Sequence, residues 1–137
     1  MTSLTLNILL QVATIAATGR DYATAYQETA QTGRPLVVLI GADWCPGCQQ
    51  MKHAAIPELE KKGGLNKVSF AIVNADKQSE LAGKLMRGGS IPQLVMYHKT
   101  ETGWARQQLT GAHSVSEIQA FLAQAAEPDA SKLSSTK

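Results

Sequence analysis

Cys45 and Cys48 are the only two cysteines in a chain of 137 residues. A thiolate at one position attacks a disulfide sulfur, and a thiol at the other displaces the product, so a CxxC pair supports thiol–disulfide exchange in either direction. The pair lies in Trp44-Cys45-Pro46-Gly47-Cys48, between the apolar run Leu36-Val37-Val38-Leu39-Ile40 and a stretch of helical periodicity. That placement puts Cys45 at a helix N-terminus, where unpaired N–H groups and the positive end of the dipole favour an anion and lower a thiol pKa from about 8.5. Residues three apart share a helix face, so Cys48 reaches Cys45 in a small ring. Cys48 lies deeper in the turn and is expected to be the less exposed of the two. Cys45 is then the attacking thiolate and Cys48 the resolving thiol.

Other chemistries use the same two sulfurs. Thiolates suit Cu(I), but the remaining soft ligands are His53, His98 and His113, and no second CxxC completes a closed zinc site. A purely structural disulfide in so small a ring removes little unfolded-state entropy. The redox dithiol is the reading taken, with no metal and no dissociable cofactor. A copper-handling module and a non-catalytic binding domain with a permanently closed disulfide stand as alternatives.

The elements that position the pair are legible around it. Asp21 caps a helix running to Thr32, with Tyr22, Ala25, Tyr26 and Ala30 on its apolar face, stopped by Gly33 and Pro35. Residues 36–40 are uninterrupted and β-branched, as in a strand buried on both faces of a parallel sheet. The helix from Cys45 takes Pro46 in its first turn, is kinked by Pro57, and ends at Gly63-Gly64. Residues 68–74 form a second strand, reached by a right-handed crossover. A helix is expected from Asp76 to Arg87, with Leu81, Ala82, Leu85 and Met86 inward. After Ser90-Ile91-Pro92 come a strand at 94–98 and an antiparallel partner at 104–109. Ser114 and Glu117 form a capping box before a last helix with Ile118, Phe121, Leu122 and Ala125 inward. Met51, Met86 and Met96 read as core filler, and Trp104 as packing on the last strand, with a groove aromatic as the alternative. The order gives an α/β fold: a mixed sheet, core β-α-β-α-β-β-α, with helices on both faces.

Composition narrows the partners. Thirteen basic and eleven acidic residues give a formal charge of +2, and aromatics make up 5%. Neither a basic patch nor a stacking platform for nucleic acid follows from that. Residues 1–19 carry none of the charges. Leu4 to Thr18 has the length of a secretory h-region, followed by small residues, although no Lys or Arg precedes it. It reads as a signal peptide or N-terminal anchor, with an ordinary first helix bearing Leu4, Ile8 and Val12 as the alternative. Export to an oxidising compartment is the favoured location, and membrane contact is expected only through an uncleaved anchor. Residues 20–126 form the domain, and 127–137 a polar tail expected to be disordered.

The stretch Gly41-Ala42-Asp43-Trp44-Cys45-Pro46-Gly47-Cys48, together with Ser90-Ile91-Pro92, resembles the thioredoxin family, nearest to exported domains with an Ala-Asp-Trp-Cys-x-x-Cys motif. The element order is similar over residues 20–126. The resemblance implies a thioredoxin-like fold and a redox disulfide between Cys45 and Cys48. It implies Trp44 beside that disulfide, and a cis peptide between Ile91 and Pro92 that faces the sulfurs and leaves the Ile91 backbone to pair with an extended substrate. It further implies protein disulfides or dithiols as substrates and an upstream redox partner protein. Two departures stand out. Leu39 occupies the place of a buried Asp that cytosolic members use to deprotonate the resolving cysteine, and Ile72 falls near its usual Lys partner. Cys48 must then lose its proton through water or another group such as Asp43, which otherwise reads as a solvated loop residue.

Overall fold

A computed structural model describes residues 21–126 of the chain. The expected signal or anchor at 1–19 and the polar tail at 127–137 lie outside the described residues. At the centre is β1, Leu36–Gly41, whose first five residues are all buried. It pairs in parallel with β2, Ser69–Asn74, and antiparallel with β3, Gln93–Thr100. β4, Gly103–Thr110, closes the hairpin on β3, giving the order β2-β1-β3-β4. A strand flanked on both edges and covered on both faces has no side chain to spare for water, which is why residues 36–40 are apolar without alternation.

Alternate side chains of the sheet feed two cores. On one face Val37, Leu39, Leu94 and Met96 pack with Met51, Ile56, Leu59, Ile118 and Phe121. These come from the helix that follows the cysteines and from α5, Val115–Ala123. On the other face Leu36, Val38, Ile40, Val73 and Val95 pack with Ala25 of α1, Tyr22–Thr32, and with Ala82 and Leu85 of α4, Ser79–Leu85. Each fully buried Leu, Ile, Val or Met favours the folded state by roughly 1.5–3 kcal/mol relative to exposure.

The helix after the cysteines has three parts. α2 spans Pro46–Gln50, a π turn spans Met51–Ala55, and α3 spans Ile56–Lys61. The Ile56 N–H donates to the carbonyl of Met51, five residues back. Pro57 explains the widening. It has no N–H to donate, and its ring would press on the carbonyl four residues earlier, that of His53. A π turn opens the ladder there without breaking the helix, so the expected kink is realised as an extra residue in one turn.

Three local expectations are corrected. The buried face of α1 is Ala25 and Thr29, with Tyr22 partly covered, whereas Tyr26 and Ala30 are exposed. α4 starts at Ser79 rather than Asp76, because the Asn74 Oδ1 atom accepts the N–H groups of Asp76 (3.0 Å) and Lys77 (3.1 Å) and holds a turn there. It ends at Leu85, before Met86 turns extended. Of the two readings of Trp104, the groove aromatic is the one realised. It borders a groove of about 540 Å³ beside Tyr22, Tyr26 and Tyr97, with the Lys99 ammonium 5.7 Å from its ring centroid. The expected caps are present. Asp21 accepts from the Thr24 N–H, Gly33 takes the left-handed conformation at φ 75°, and Ser114 accepts from the Glu117 N–H.

Candidate active site

The C-terminal end of β1 delivers the chain to the cysteines. A turn through Ala42 and Asp43 is closed by the Cys45 N–H to the Ala42 carbonyl (3.3 Å). Gln49 reaches back from the helix and donates to the carbonyls of Ala42 (3.3 Å) and Asp43 (3.2 Å). Cys45 is the N-cap of α2, Pro46 stands in the first turn, and the Cys48 N–H donates to the Cys45 sulfur at 3.2 Å. The two sulfurs are joined in a disulfide, with their Cα atoms 5.2 Å apart. An N–H aimed at the Cys45 sulfur favours a negative charge on it once the bond is reduced. Both cysteines are nearly covered, Cys45 at 7% exposure and Cys48 at 4%, so exposure alone does not separate their roles as the sequence led one to expect.

Gly41 is glycine because of this disulfide. A Cβ there would stand 2.8 Å from the Cys48 Cβ and 2.9 Å from its sulfur. Gly41→Ala is therefore expected to displace Cys48 and cost about 1–3 kcal/mol, the usual range for overpacking a tight site. A denaturant midpoint equal to that of the wild type, measured on the oxidised proteins, would show that the contact yields freely.

Across from the helix start lies the segment before β3. The Ile91–Pro92 peptide is cis, and the Ile91 carbonyl oxygen is 3.9 Å from the Cys45 sulfur. Ile91 packs on the small cluster of Ala42, Cys45 and Cys48. A Cβ on Gly47 would meet Pro92 at 3.4 Å and Ala112 at 3.5 Å, so Gly47 faces the proline with little space between. The structure thus brings together Cys45, Gly47, Cys48, Ile91 and Pro92. Trp44 is 70% exposed, and its indole N–H donates to Asp76 at 2.9 Å. That bond ties the ring to the turn after β2, and Ala42 and Ile91 are what pack on the sulfurs.

Two supporting groups escape the sequence reading. Gln93 is 1% exposed, and its amide donates to the carbonyls of Arg87 (3.0 Å), Gly88 (3.2 Å) and Ser90 (2.9 Å) while accepting from the Arg87 N–H (3.3 Å). It fastens the loop that leads into Pro92. The only signal was a polar residue opening an otherwise apolar strand. His113 is the other. One ring nitrogen lies 2.8 Å from the Thr110 carbonyl, the other bonds Glu117, and its backbone N–H points at the Met51 sulfur, 3.4 Å away. The Thr110 carbonyl first, and then Glu117, raise the His113 pKa, because the doubly protonated ring donates to both. The same bond lowers that of Glu117. Glu117 thus serves His113 and also accepts from the Ser114 N–H, the reciprocal half of the expected capping box.

The other histidines stay away from the sulfurs. His53 is exposed on the π turn. His98 lies within β3, not at its end, and is buried with neither ring nitrogen hydrogen-bonded among the described residues. Among the described residues no cluster of three or more His, Cys, Asp or Glu side chains is arranged to hold a metal ion. Leu39 and Ile72 are cross-strand partners in β1 and β2, two apolar side chains side by side beneath the cysteine-bearing turn.

A family model described as thioredoxin-like matches residues 16–99. Among solved structures, a thioredoxin from Thermus thermophilus is similar at a TM-score of 0.64 and 25% identity, over 77% of this chain and 83% of its own. A thioredoxin from Malassezia sympodialis is similar at 0.53 and 27%, over 74% and 88%. One from Trichomonas vaginalis shares the fold at 0.59 and 24%, over 74% and 88%. No curated protein matches the chain by sequence.

Proposed function

The chain belongs to the thioredoxin-like family, and from that premise we propose that it reduces disulfides in protein substrates through Cys45 and Cys48. Thiol–disulfide exchange as a class follows from the fold and from two cysteines at disulfide distance. The observation that carries the finer reading is the position of that disulfide, at a helix start and 3.9 Å from the Ile91 carbonyl.

In the reduced protein the Cys45 thiolate attacks a substrate sulfur. A mixed disulfide forms, and the other substrate sulfur leaves as a thiolate that takes a proton from solvent. The Cys48 thiol then loses its proton and attacks the Cys45 sulfur. This restores the Cys45–Cys48 bond and releases the second substrate thiol, so two electrons pass to the substrate. The cycle closes when a partner protein's dithiol reduces the disulfide again. Ile91 and Pro92 line the approach, and an extended substrate segment beside them satisfies its backbone by pairing with Ile91. Gly47 and Ala112 leave that approach without bulk.

The test is precipitation of insulin chains on disulfide reduction, with dithiothreitol as the electron source. Acceleration over dithiothreitol alone supports the proposal. A rate equal to that of dithiothreitol alone removes it, and a reduction potential below about −300 mV would then identify a closed structural disulfide.

A further inference from the structure

Resolution of the mixed disulfide needs a Cys48 thiolate, yet the sulfur is buried and apolar surroundings hold a thiol protonated. Against it lies a cleft of about 30 Å³, bordered by Leu39 and Ile72 and by the polar residues Asp43, Lys52 and Asn74. That volume holds one water molecule, and the rim supplies polar partners for it. Asp43, Lys52, Ile72 and Asn74 also border an open basin of about 500 Å³, which Lys77 and Gln78 complete. The cleft therefore leads from Cys48 to solvent. The charged groups of the cleft are Asp43 and Lys52, and Lys77 borders the basin outside it. Asp43 also has Lys77 3.9 Å away on its solvent side. Lys52, one helical turn beyond Cys48, is the cation that lines the cleft together with that sulfur.

We propose that this cleft is the route by which Cys48 loses its proton, with Lys52 as the positioning charge that brings the thiolate within reach near neutral pH. The inference rests on the disulfide exchange proposed above. The Cys48 proton passes to water in the cleft and on to solvent. The sulfur's freed electron pair forms the bond to Cys45, and the Cys45–substrate bond breaks toward the departing thiolate, which solvent protonates. Lys52 takes no part in the proton transfer and acts on the sulfur by its field. In this chain a cation at the cleft mouth thus does work for which Leu39 and Ile72 offer no polar group.

The first measurement needs no substrate. In a Cys45→Ser background, the ultraviolet absorbance of the Cys48 thiolate is titrated with Lys52 intact, as Lys52→Met and as Lys52→Arg. Met is expected to raise the apparent Cys48 pKa by about one unit, and Arg to hold it near the parent value. In the dithiol protein, a mixed disulfide on Cys45 made with a chromogenic disulfide is followed as Cys48 displaces the chromophore. Lys52→Met is expected to slow that displacement about tenfold near neutral pH and to recover in alkali, while Cys45 alkylation keeps its rate. A Cys48 titration unmoved by Lys52→Met, or a rate loss equal at every pH, overturns the proposal. Because the titration involves no protein substrate, failure to reduce insulin and failure of the Lys52 assignment are separate results.

Discussion

Cys48→Ser is expected to turn the protein from a turnover catalyst into a trap that retains its substrate on Cys45 through a disulfide. Cys45 keeps the N–H of residue 48 aimed at its sulfur and keeps its place beside Ile91. Attack therefore proceeds, but no neighbouring thiol completes the exchange. Cys45→Ser is expected to form no such adduct, because Cys48 is confined by Gly41 and the inner cleft. Insulin reduction by Cys45→Ser falls to the dithiothreitol background, a loss of about a hundredfold or more given the advantage of a preplaced second thiol. Cys48→Ser falls nearly as far and keeps only the turnover that dithiothreitol allows by cleaving the mixed disulfide on Cys45. Mass spectrometry of non-reduced mixtures distinguishes the two. An adduct on Cys45→Ser and none on Cys48→Ser would reverse the roles.

The second large effect is expected at Gln93, far from any sulfur chemistry of its own. Its amide is the common partner of three carbonyls and one N–H in the loop before Pro92. Gln108 adds a bond to the Arg87 carbonyl (3.1 Å), and Arg106 one to that of Leu85 (2.8 Å). Gln93→Leu leaves the loop polar groups to water, since residues 87–90 are exposed, and costs roughly 1–3 kcal/mol. Gln93→Glu has nearly the same shape but sets a carboxylate against those carbonyls, so it is expected to be the more damaging of the two. Thermal unfolding gives the order. Insulin reduction should fall in both variants while alkylation of Cys45 changes little, because the loop serves substrate approach. A Glu variant as stable as wild type would mean the amide does not hold the loop.

Much of the site was legible because its signals are local. The apolar run from Leu36 to Ile40, the proline after Cys45 and the caps at Asp21 and Ser114 each report a constraint met within a few residues. The family pattern added the cis peptide before Pro92, which no local rule provides. What stayed hidden depends on distant partners. Gln93 is a lone polar residue until the loop folds over it. The start of α4 was misplaced because the Asn74 side chain competes for two N–H groups that a helix would leave for water. The apolar face of α1 was misjudged because two tyrosines line a half-open groove while Thr29 is buried.

The π turn at Met51–Ala55 gives the helix two angular settings. Each residue of an α-helix advances roughly 100° about the axis. An uninterrupted ladder of the same residues would leave either the sulfur-bearing turn or Ile56 and Leu59 facing the wrong way by nearly that angle. The extra residue works as a phase shifter: the first turn aims at Pro92 while the last turns aim at the core. The aim of the chemistry and the anchoring of the helix can then diverge independently in sequence, with Pro57 marking the joint between them.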